Sequence, residues 1–311
     1  MKNEYPLVSF CIVAYKAEKY IAEAINGAFA QDYPNMEIIM SDDCSPDRTY
    51  EIMQEMASAY KGPHKIILNQ NHPNLGPREN YNKVMYELSH GEFVFFADGD
   101  DVSVPERTRK CVEFMLSHPK VSSMSCVSQL IHADGTPFDE TPLNSLSKGS
   151  VSIFSLRDYV RTGLMIESDD SRVFRRTVID SFPPLKWPFA EDIFLFVRCF
   201  YVGDVALIHE PLVKYRQHDS SIMGHARLRK KVTKEQCRAF EEKSVRQLND
   251  DLNYAIEHHY IQPEQVELVR RKINEVANWL RPKRKTIWWR MVHTVQRYTN
   301  YFFEKLLIVL R

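Results

Sequence analysis

The chain has 311 residues, of which 44% are hydrophobic and 12% aromatic, with 41 basic and 41 acidic side chains. This apolar content is enough for a sizeable core and excludes a disordered chain. Zero net charge gives no general argument for a nucleic-acid partner. The six cysteines are scattered, without the paired spacing of a zinc site or a disulfide framework, which favours a reducing compartment.

No segment predicts export or a membrane span. The amino terminus leads directly into a short apolar strand pattern and lacks the apolar region and cleavage site of a secretory signal. No run reaches the roughly 18 to 20 uninterrupted apolar residues that a spanning helix needs. We therefore expect a cytoplasmic protein that is not integral to a membrane.

The first hundred residues alternate between strand and helix patterns. Short apolar runs rich in β-forming residues predict strands over Leu7–Ala14, Glu37–Ser41, Lys65–Leu68 and Glu92–Ala97. Apolar residues at helical spacing predict the intervening helices, over Lys19–Phe29, Thr49–Tyr60 and Asn80–Leu88. This alternation has the spacing of βαβ units and predicts an α/β fold with a mostly parallel central sheet flanked by helices.

The later residues divide into two parts. Val205–Tyr215 has the pattern of an edge strand, because it contains Pro211. From Ala226 the pattern is helical, with one predicted helix on each side of Pro263. We place a boundary near Met223 and predict an α/β domain over residues 1–223 and a helical extension over residues 224–311.

Polar residues follow each of the four early strands. They form the segments Tyr15-Lys16, Ser41–Ser45, Asn74–Arg78 and Asp98–Asp101. Ligands of open α/β sheets bind beyond the carboxyl ends of the strands, near a switch in strand order. We therefore expect a binding site formed by these four segments.

The last of these segments is strongly acidic. Asp98, Asp100 and Asp101 would repel one another unless a cation or hydrogen-bond donors compensate their charge. Mg²⁺ and Mn²⁺ prefer hard oxygen ligands and often bind through one or two carboxylates and substrate phosphates. Gly99 would allow the backbone to approach a ligand closely. The alternative is a solvated acidic turn that caps a helix starting near Pro105.

Three further polar groups allow two interpretations. Glu191-Asp192 precedes the apolar run Ile193–Phe196, where acids at a helix start ordinarily interact with the helix dipole. His218 by default is a surface or core histidine, although imidazole also binds metals and, when protonated, phosphate. A solvated charged face is favoured over contacts with a ligand for the basic residues Arg172, Arg175 and Arg176.

Several spaced motifs together resemble family 2 glycosyltransferases. In family order over about the first 220 residues, they are Val8–Lys16, Ala30–Ile39, Asp42–Thr49, Asn74–Gly76, Ala97–Asp101, Glu191-Asp192 and Tyr215–His218. The resemblance implies a GT-A fold with its catalytic domain in residues 1–223, a nucleoside diphosphate sugar donor, and inversion at the anomeric carbon. Val13–Lys16 departs from the Pro-Thr-Tyr-Asn more common in the family.

The resemblance also implies where the nucleotide binds. Tyr15, Asp42 and Asp43 would surround the base and ribose. Arg78 would lie near the base or the phosphates. The departure at Val13–Lys16 affects the contacts expected with the nucleoside.

The resemblance further implies a Mn²⁺ or Mg²⁺ site in the DxD motif, of which Asp98 and Asp100 are the two ends. Asp100 would bind the ion that bridges both phosphates, and Asp98 would face the ribose or a metal-bound water. Asp101 is a second candidate ligand. Arg216 and His218 would close the donor site at the diphosphate or the metal.

For catalysis, the resemblance implies that Asp192 is the general base. It would deprotonate the acceptor hydroxyl, and Glu191 would orient the acceptor or the base. A divalent ion would stabilise the negative charge that grows on the leaving diphosphate. The base and the ion must then lie on opposite sides of the anomeric carbon.

The carboxyl terminus carries the charge that the rest of the chain balances. Residues Arg281–Arg311 contain eight basic residues and one acid, which leaves 33 basic and 40 acidic residues elsewhere. Apolar residues at helical spacing, starting at Trp288, predict a basic amphipathic helix in a membrane interface. The alternative is a helix packed on the protein's own core or on a second subunit, as in a homo-oligomer. We favour peripheral contact with the cytoplasmic face of the inner membrane.

The sequence thus predicts an inverting, metal-dependent glycosyltransferase of surface polysaccharide or lipopolysaccharide assembly. Its acceptor would be a saccharide or a lipid-linked saccharide, and no nucleic acid would be bound. One alternative is a nucleotidyltransferase acting on sugar phosphates, but Ala14–Glu18 lacks a basic, glycine-rich phosphate loop. Another is a non-catalytic membrane-associated scaffold, against which Asp98, Asp100 and Asp192 argue.

Overall fold

The structure is a computed structural model that describes residues 5–138, 150–162, 171–186, 191–218 and 234–280. The predicted boundary near Met223 and the amphipathic helix predicted after Arg281 lie outside these ranges. The described residues form two compact units. The nine strands found among the described residues lie in the first unit, and three of the described helices lie in the second.

The first four strands form the sheet that the sequence predicts. They span Val8–Ala14 (β1), Met36–Asp42 (β2), Lys65–Gln70 (β3) and Phe93–Asp98 (β4). Neighbouring strands pair in parallel in the order β3-β2-β1-β4. Every residue of β1 and β2 is buried, as expected for strands covered on both faces. The predicted parallel sheet is confirmed for this part of the chain.

Three helices connect these strands. They span Ile21–Phe29 (α1), Thr49–Ala59 (α2) and Pro77–Lys83 (α3), and α3 continues as a π-helical turn over Val84–Leu88. The third helix begins earlier than predicted because Pro77 occupies its first turn, where the missing N–H costs no hydrogen bond. Close packing requires Gly27 in α1, since a Cβ there would lie 2.9 Å from the carbonyl oxygen of Ser103.

Five later strands make the sheet mixed. They are Val102–Ser103 (β5), Val121–Ile131 (β6), Val151–Phe154 (β7), Val173–Arg175 (β8) and Asp204–Arg216 (β9). The sheet order continues from β4 as β8-β6-β9-β5, and β7 also pairs with β9. The pairing of β6 with β9 is parallel, and the other pairings of these strands are antiparallel. The helices of this region are Arg107–Ser117 (α4), Arg176–Asp180 (α6) and Glu191–Val202 (α7).

The prediction that Val205–Tyr215 is an edge strand is wrong. The strand β9 pairs with β6 on one side, and with β7 and β5 at separate positions on the other. Pro211 is accommodated because the register with β6 shifts on both sides of the Val127–Pro211 pair. This irregularity lies between the segments of β9 that pair with β7 and with β5.

The arginines expected on a solvated face are instead embedded in the first unit, so that prediction is wrong as well. Arg172 is 4% exposed, and its guanidinium lies over the ring of Phe196. Arg175 and Arg176 donate hydrogen bonds to backbone carbonyls at the ends of neighbouring elements. Because these donors are paired with carbonyl acceptors, partial burial of Arg175 and Arg176 is tolerable.

The described residues of the second unit include the helices Leu156–Thr162 (α5), Lys234–Glu257 (α8) and Pro263–Leu280 (α9). The helix α9 packs against α5 and α8. The buried apolar residues of these helices include Leu248, Leu252, Ala255, Val269 and Ile273. Within the part of the chain that the structure describes, no helix combines the length and apolar character needed to cross a membrane.

Candidate active site

The acidic segment lies at the carboxyl edge of the sheet, as predicted. Strand β4 ends at Asp98, whose partner in the register of β1 is Val13. The sheet order reverses between β1 and β4, because β2 and β3 extend it in the opposite direction. The end of β4 therefore lies at the switch point where open α/β sheets bind ligands.

The three carboxylates of this segment converge. One ligand oxygen from each of Asp98, Asp100 and Asp101 lies within 4.8 Å of the others. At that separation a pair of like charges costs roughly 3 kcal/mol in a medium with an effective dielectric constant near 20. Hard oxygen ligands in this number and spacing fit a divalent ion such as Mg²⁺ or Mn²⁺.

The three acids differ in their access to a ligand. Asp98 and Asp100 are half-buried, whereas Asp101 is 2% exposed. Asp101 Oδ1 accepts a 2.8 Å hydrogen bond from the backbone N–H of Arg216. Asp98 Oδ1 accepts a 3.3 Å hydrogen bond from the hydroxyl of Tyr81, whose ring stacks on Phe96. Asp98 and Asp100 are thus better placed than Asp101 to meet a ligand from solvent.

Gly99 lies between Asp98 and Asp100 in sequence, and the packing around it leaves no room for a side chain. Its N–H donates to the carbonyl oxygen of Val13 at 3.0 Å. A Cβ at this position would lie 2.8 Å from the Cβ of Ala14 and 3.2 Å from the side chain of Ile21. The turn therefore lies directly against the end of β1 and the start of α1.

Arg216 is directed at the protein rather than at solvent. Its side chain is 0% exposed. Nε donates to the carbonyl oxygen of Asp100 at 2.9 Å, Nη1 to that of Ala133 at 3.0 Å, and Nη2 to the carboxylate of Glu23 at 2.8 Å. These contacts give the guanidinium a role in holding the acidic segment. Its predicted contact with the diphosphate stays a prediction.

Asp42 provides a buried carboxylate at the end of β2. The residue is 0% exposed. Its Oδ2 accepts hydrogen bonds from the backbone N–H of Ser45 at 3.0 Å and from Gln70 Nε2 at 3.2 Å. No donor among the described residues reaches Oδ1. A buried acceptor of this kind is costly, which fits a site that receives an N–H or O–H group of a ligand.

Asp43 has a different role from its neighbour. Its Oδ1 accepts hydrogen bonds from Asn71 Nδ2 and from the backbone N–H of Leu75, both at 2.9 Å. Its Oδ2 accepts from the backbone N–H of Gly76 at 2.8 Å. The carboxylate therefore fixes the loop that precedes α3, and its predicted contact with the nucleoside stays a prediction.

Two other predicted nucleotide residues follow strands of the sheet: Tyr15 comes directly after β1, and Arg78 lies in α3, after β3. Tyr15 is 49% exposed, and Lys16 Nζ lies 4.9 Å from the centroid of its ring. Arg78 in α3 forms an ion pair with Glu79 and donates from Nη1 to the carbonyl oxygen of Lys186 at 2.5 Å. This hydrogen bond connects the start of α3 to Lys186, which lies 108 residues later in the chain.

The structure describes the predicted catalytic residues only in part. Glu191 and Asp192 form the first turn of α7, and their side chains lie outside the description. His218 lies in the second unit, two residues after the end of β9, and is half-buried. The predicted roles of Asp192, Glu191 and His218 stay predictions.

Several residues of this edge had no sequence signal. Glu23, Tyr81 and Gln70 contact Arg216, Asp98 and Asp42, respectively. Each is a common polar residue in a helix or strand, and its partner is distant in sequence. Apolar residues at helical spacing predict the helix that contains Tyr81, but they do not predict which residue its hydroxyl contacts.

Comparison with known proteins identifies a family. Residues 9–182 match the model of the family described as Glycosyl transferase family 2. An uncharacterized protein of Mycobacterium tuberculosis is 30% identical over 224 residues, which cover 70% of this chain and 61% of that protein. The chain thus spans less than two thirds of the length of this relative.

Two solved structures share the fold. TarS of Staphylococcus aureus in complex with UDP-GlcNAc has a TM-score of 0.59 at 17% identity, and the match covers 80% of this chain and 70% of that chain. In sequence, TarS is 31% identical over 112 residues, which cover 35% of this chain and 19% of TarS. A mannosyltransferase of Pyrobaculum calidifontis in complex with GDP-Man and Mn²⁺ has a TM-score of 0.55 at 16% identity, covering 89% and 72%. The predicted GT-A fold is confirmed.

Proposed function

Because the chain belongs to glycosyl transferase family 2, we propose that it transfers a sugar from a nucleoside diphosphate sugar to an acceptor hydroxyl, with inversion and with a divalent ion at the Asp98–Asp101 segment. The convergence of three carboxylates within 4.8 Å at the switch point of the sheet carries this proposal. Acids in this arrangement can hold a divalent cation, and such a cation would stabilise the charge of a leaving sugar diphosphate.

The nucleoside occupies the ends of β1 and β2 in this proposal. Asp42 Oδ1 accepts a hydrogen bond from the base or ribose, and the exposed ring of Tyr15 contacts the nucleoside. The burial of Asp42 supports this assignment. Its Oδ2 accepts hydrogen bonds from Ser45 and Gln70, whereas no donor among the described residues reaches Oδ1. The structures of similar fold that hold UDP-GlcNAc and GDP-Man also support a nucleotide-sugar donor.

Asp98 and Asp100 would hold the ion, which fits their partial exposure. When bound, the ion neutralises charge on the diphosphate as the bond to the sugar breaks. Asp192 takes the proton from the acceptor hydroxyl, and Glu191 orients the acceptor or Asp192. Both lie in the first turn of α7, in the same unit as the acidic segment.

The acceptor is a saccharide or a lipid-linked saccharide of a surface polymer in this proposal. The resemblance to TarS, named as a poly(ribitol-phosphate) β-N-acetylglucosaminyltransferase, supports a polymeric acceptor. The basic residues of Arg281–Arg311 would bring the enzyme to the cytoplasmic face of a membrane, where it would meet a lipid-linked acceptor.

A thermal-shift screen of nucleoside diphosphates and their sugars, with and without Mn²⁺, tests the proposal. A ligand that binds only the folded protein raises the melting temperature. We expect one base to give a shift that Mn²⁺ increases, and hydrolysis of the corresponding sugar donor by the purified protein. A shift without donor hydrolysis or transfer would instead favour a non-catalytic scaffold, and release of pyrophosphate from a nucleoside triphosphate would favour a nucleotidyltransferase.

A further inference from the structure

Two buried arginines surround the acidic segment Asp98–Asp101: Arg216 contacts Asp100 and Asp101, and Arg107 contacts Phe96 and Ser103, which flank the segment. Arg107 is 0% exposed and Arg216 is 1% exposed. We propose that these two side chains are positioning residues, which fix the backbone of the acidic segment so that its carboxylates can bind the divalent ion. This inference rests on the proposed function.

Arg216 holds the middle of the segment. Its Nε donates to the carbonyl oxygen of Asp100, and its backbone N–H donates to the carboxylate of Asp101. The rest of the guanidinium connects to Glu23 in α1 and to Ala133 after β6. One side chain thereby joins the acidic segment to two further elements of the sheet edge.

Arg107 holds the two residues that flank the segment. Its Nη2 donates to the carbonyl oxygen of Phe96 at 2.8 Å, two positions before Asp98. Its Nη1 donates to the hydroxyl of Ser103 at 2.7 Å, two positions after Asp101. The guanidinium carbon lies 5.7 Å and 5.5 Å from the ring centroids of Phe10 and Phe95. These rings stabilise a cation that is fully removed from water.

The contacts of Arg107 and Arg216 would keep the acidic segment in one conformation before an ion binds. Three converging carboxylates tend to separate, because their charges repel. Hydrogen bonds from Arg216 and Arg107 restrain the carbonyl groups of Asp100 and Phe96 and the hydroxyl of Ser103. A planar guanidinium can bind several acceptors in fixed directions. Groups that orient metal ligands commonly change metal affinity ten- to a hundredfold when replaced.

Arg216→Lys tests the proposal because it separates geometry from charge. The ammonium group keeps the positive charge, but it cannot reach Asp100, Ala133 and Glu23 at the same time. We expect the Mn²⁺ concentration for half-maximal activity to rise about tenfold and kcat to fall. Binding of the nucleoside diphosphate in EDTA, with UDP and GDP as probes, should change less than about twofold. Lys214→Gln on the same strand is the control, since Lys214 is exposed.

Arg107→Lys provides the second test, with Arg109→Gln as its control. Arg109 lies in the same helix, where it pairs at the surface with Asp32. We expect Arg107→Lys to weaken Mn²⁺ activation and leave metal-free nucleotide binding intact, whereas Arg109→Gln should change neither. Unchanged Mn²⁺ activation in both arginine variants would overturn the proposal, as would a uniform loss of melting temperature, nucleotide binding and activity. If the wild-type protein binds neither nucleotide nor Mn²⁺, the proposed function itself fails.

Discussion

The backbone N–H of Arg216 donates a 2.8 Å hydrogen bond to Oδ1 of Asp101, which lies 115 residues earlier in the chain. Strand β9 ends at Arg216, and the acidic segment begins where β4 ends. The candidate metal site is therefore completed by a strand that enters the sheet late in the sequence. Its geometry depends on the pairing of β9 with β6 and β5.

Asp42→Asn should weaken nucleotide binding without lowering stability. Asparagine has a single acceptor oxygen, and the amide nitrogen in place of the other oxygen can only donate. A ligand N–H or O–H that bonds to Oδ1 of Asp42 therefore loses its partner. We expect the dissociation constant of the nucleoside diphosphate to rise about ten- to a hundredfold. The melting temperature should stay the same or rise, because a buried charge is removed. Calorimetric titration in EDTA measures the affinity, and unchanged affinity would exclude Asp42 from the nucleotide site.

Asp43→Asn should mainly lower stability. The carboxylate accepts hydrogen bonds from Leu75, Gly76 and Asn71, and an amide can replace only part of them. We expect the free energy of unfolding to fall by about 2 kcal/mol in urea titrations. Asp32→Asn is the control, because Asp32 is a partly exposed partner of Arg109. Equal stabilities of the two variants would contradict this role of Asp43.

Because His209 is buried, we expect the free energy of unfolding to fall in mild acid. It is 3% exposed, its Nε2 lies 2.8 Å from the hydroxyl of Ser152, and burial lowers its pKa from the ordinary value of 6.5. Because the folded pKa is the lower one, the unfolded chain binds more protons as the pH falls through 6.5. The contribution of His209 to the free energy of unfolding is thus constant above about pH 7 and decreases below it.

The histidine contribution can be isolated with His209→Gln. Denaturant titrations between about pH 7.5 and 5 should show a weaker pH dependence in the variant than in the wild-type protein. His64 should contribute with the same sign, because burial also lowers its pKa. Identical slopes in the variant and the wild-type protein would show that His209 does not titrate differently in the folded and unfolded chains.

Asp192→Asn should reduce the chemical step alone. If Asp192 is the general base, kcat for transfer should fall about a hundredfold or more. The thermal shift produced by the nucleoside diphosphate and Mn²⁺ should persist, since the donor site is unchanged. Asp180→Asn, on the exposed side of α6, is the control. A variant with wild-type kcat would remove Asp192 from the mechanism.

The parts of the fold that the sequence predicts are those with local signals. Strands β1, β2 and β4 are short apolar runs because both faces of the sheet are covered there. The pattern predicts that Asp98 and Asp42 lie at one edge of the sheet, because neighbouring parallel strands end on the same side. The carboxyl ends of these strands thus locate the candidate site before any side-chain geometry is known.

The parts that the sequence does not predict depend on contacts between distant residues. Pro211 indicated an edge strand, but a register shift accommodates it inside the sheet. The sequence predicts a solvated face for Arg172 and a ligand contact for Arg216, and it contains no signal for Arg107. The burial of all three side chains depends on carbonyl groups and rings from other elements. Neighbouring acids such as Asp42 and Asp43 also look equivalent in sequence, although only Asp43 has both oxygens engaged.

The most direct test of the central claim is the Mn²⁺ dependence of nucleoside diphosphate release from the sugar donor, compared between the wild-type protein and Asp100→Asn. We expect the wild-type protein to lose activity in EDTA and recover it with Mn²⁺. Asp100→Asn should lose about a hundredfold or more in turnover at every Mn²⁺ concentration, because the amide is a poorer ligand for a hard cation. Full turnover and unchanged Mn²⁺ dependence in Asp100→Asn would contradict the account.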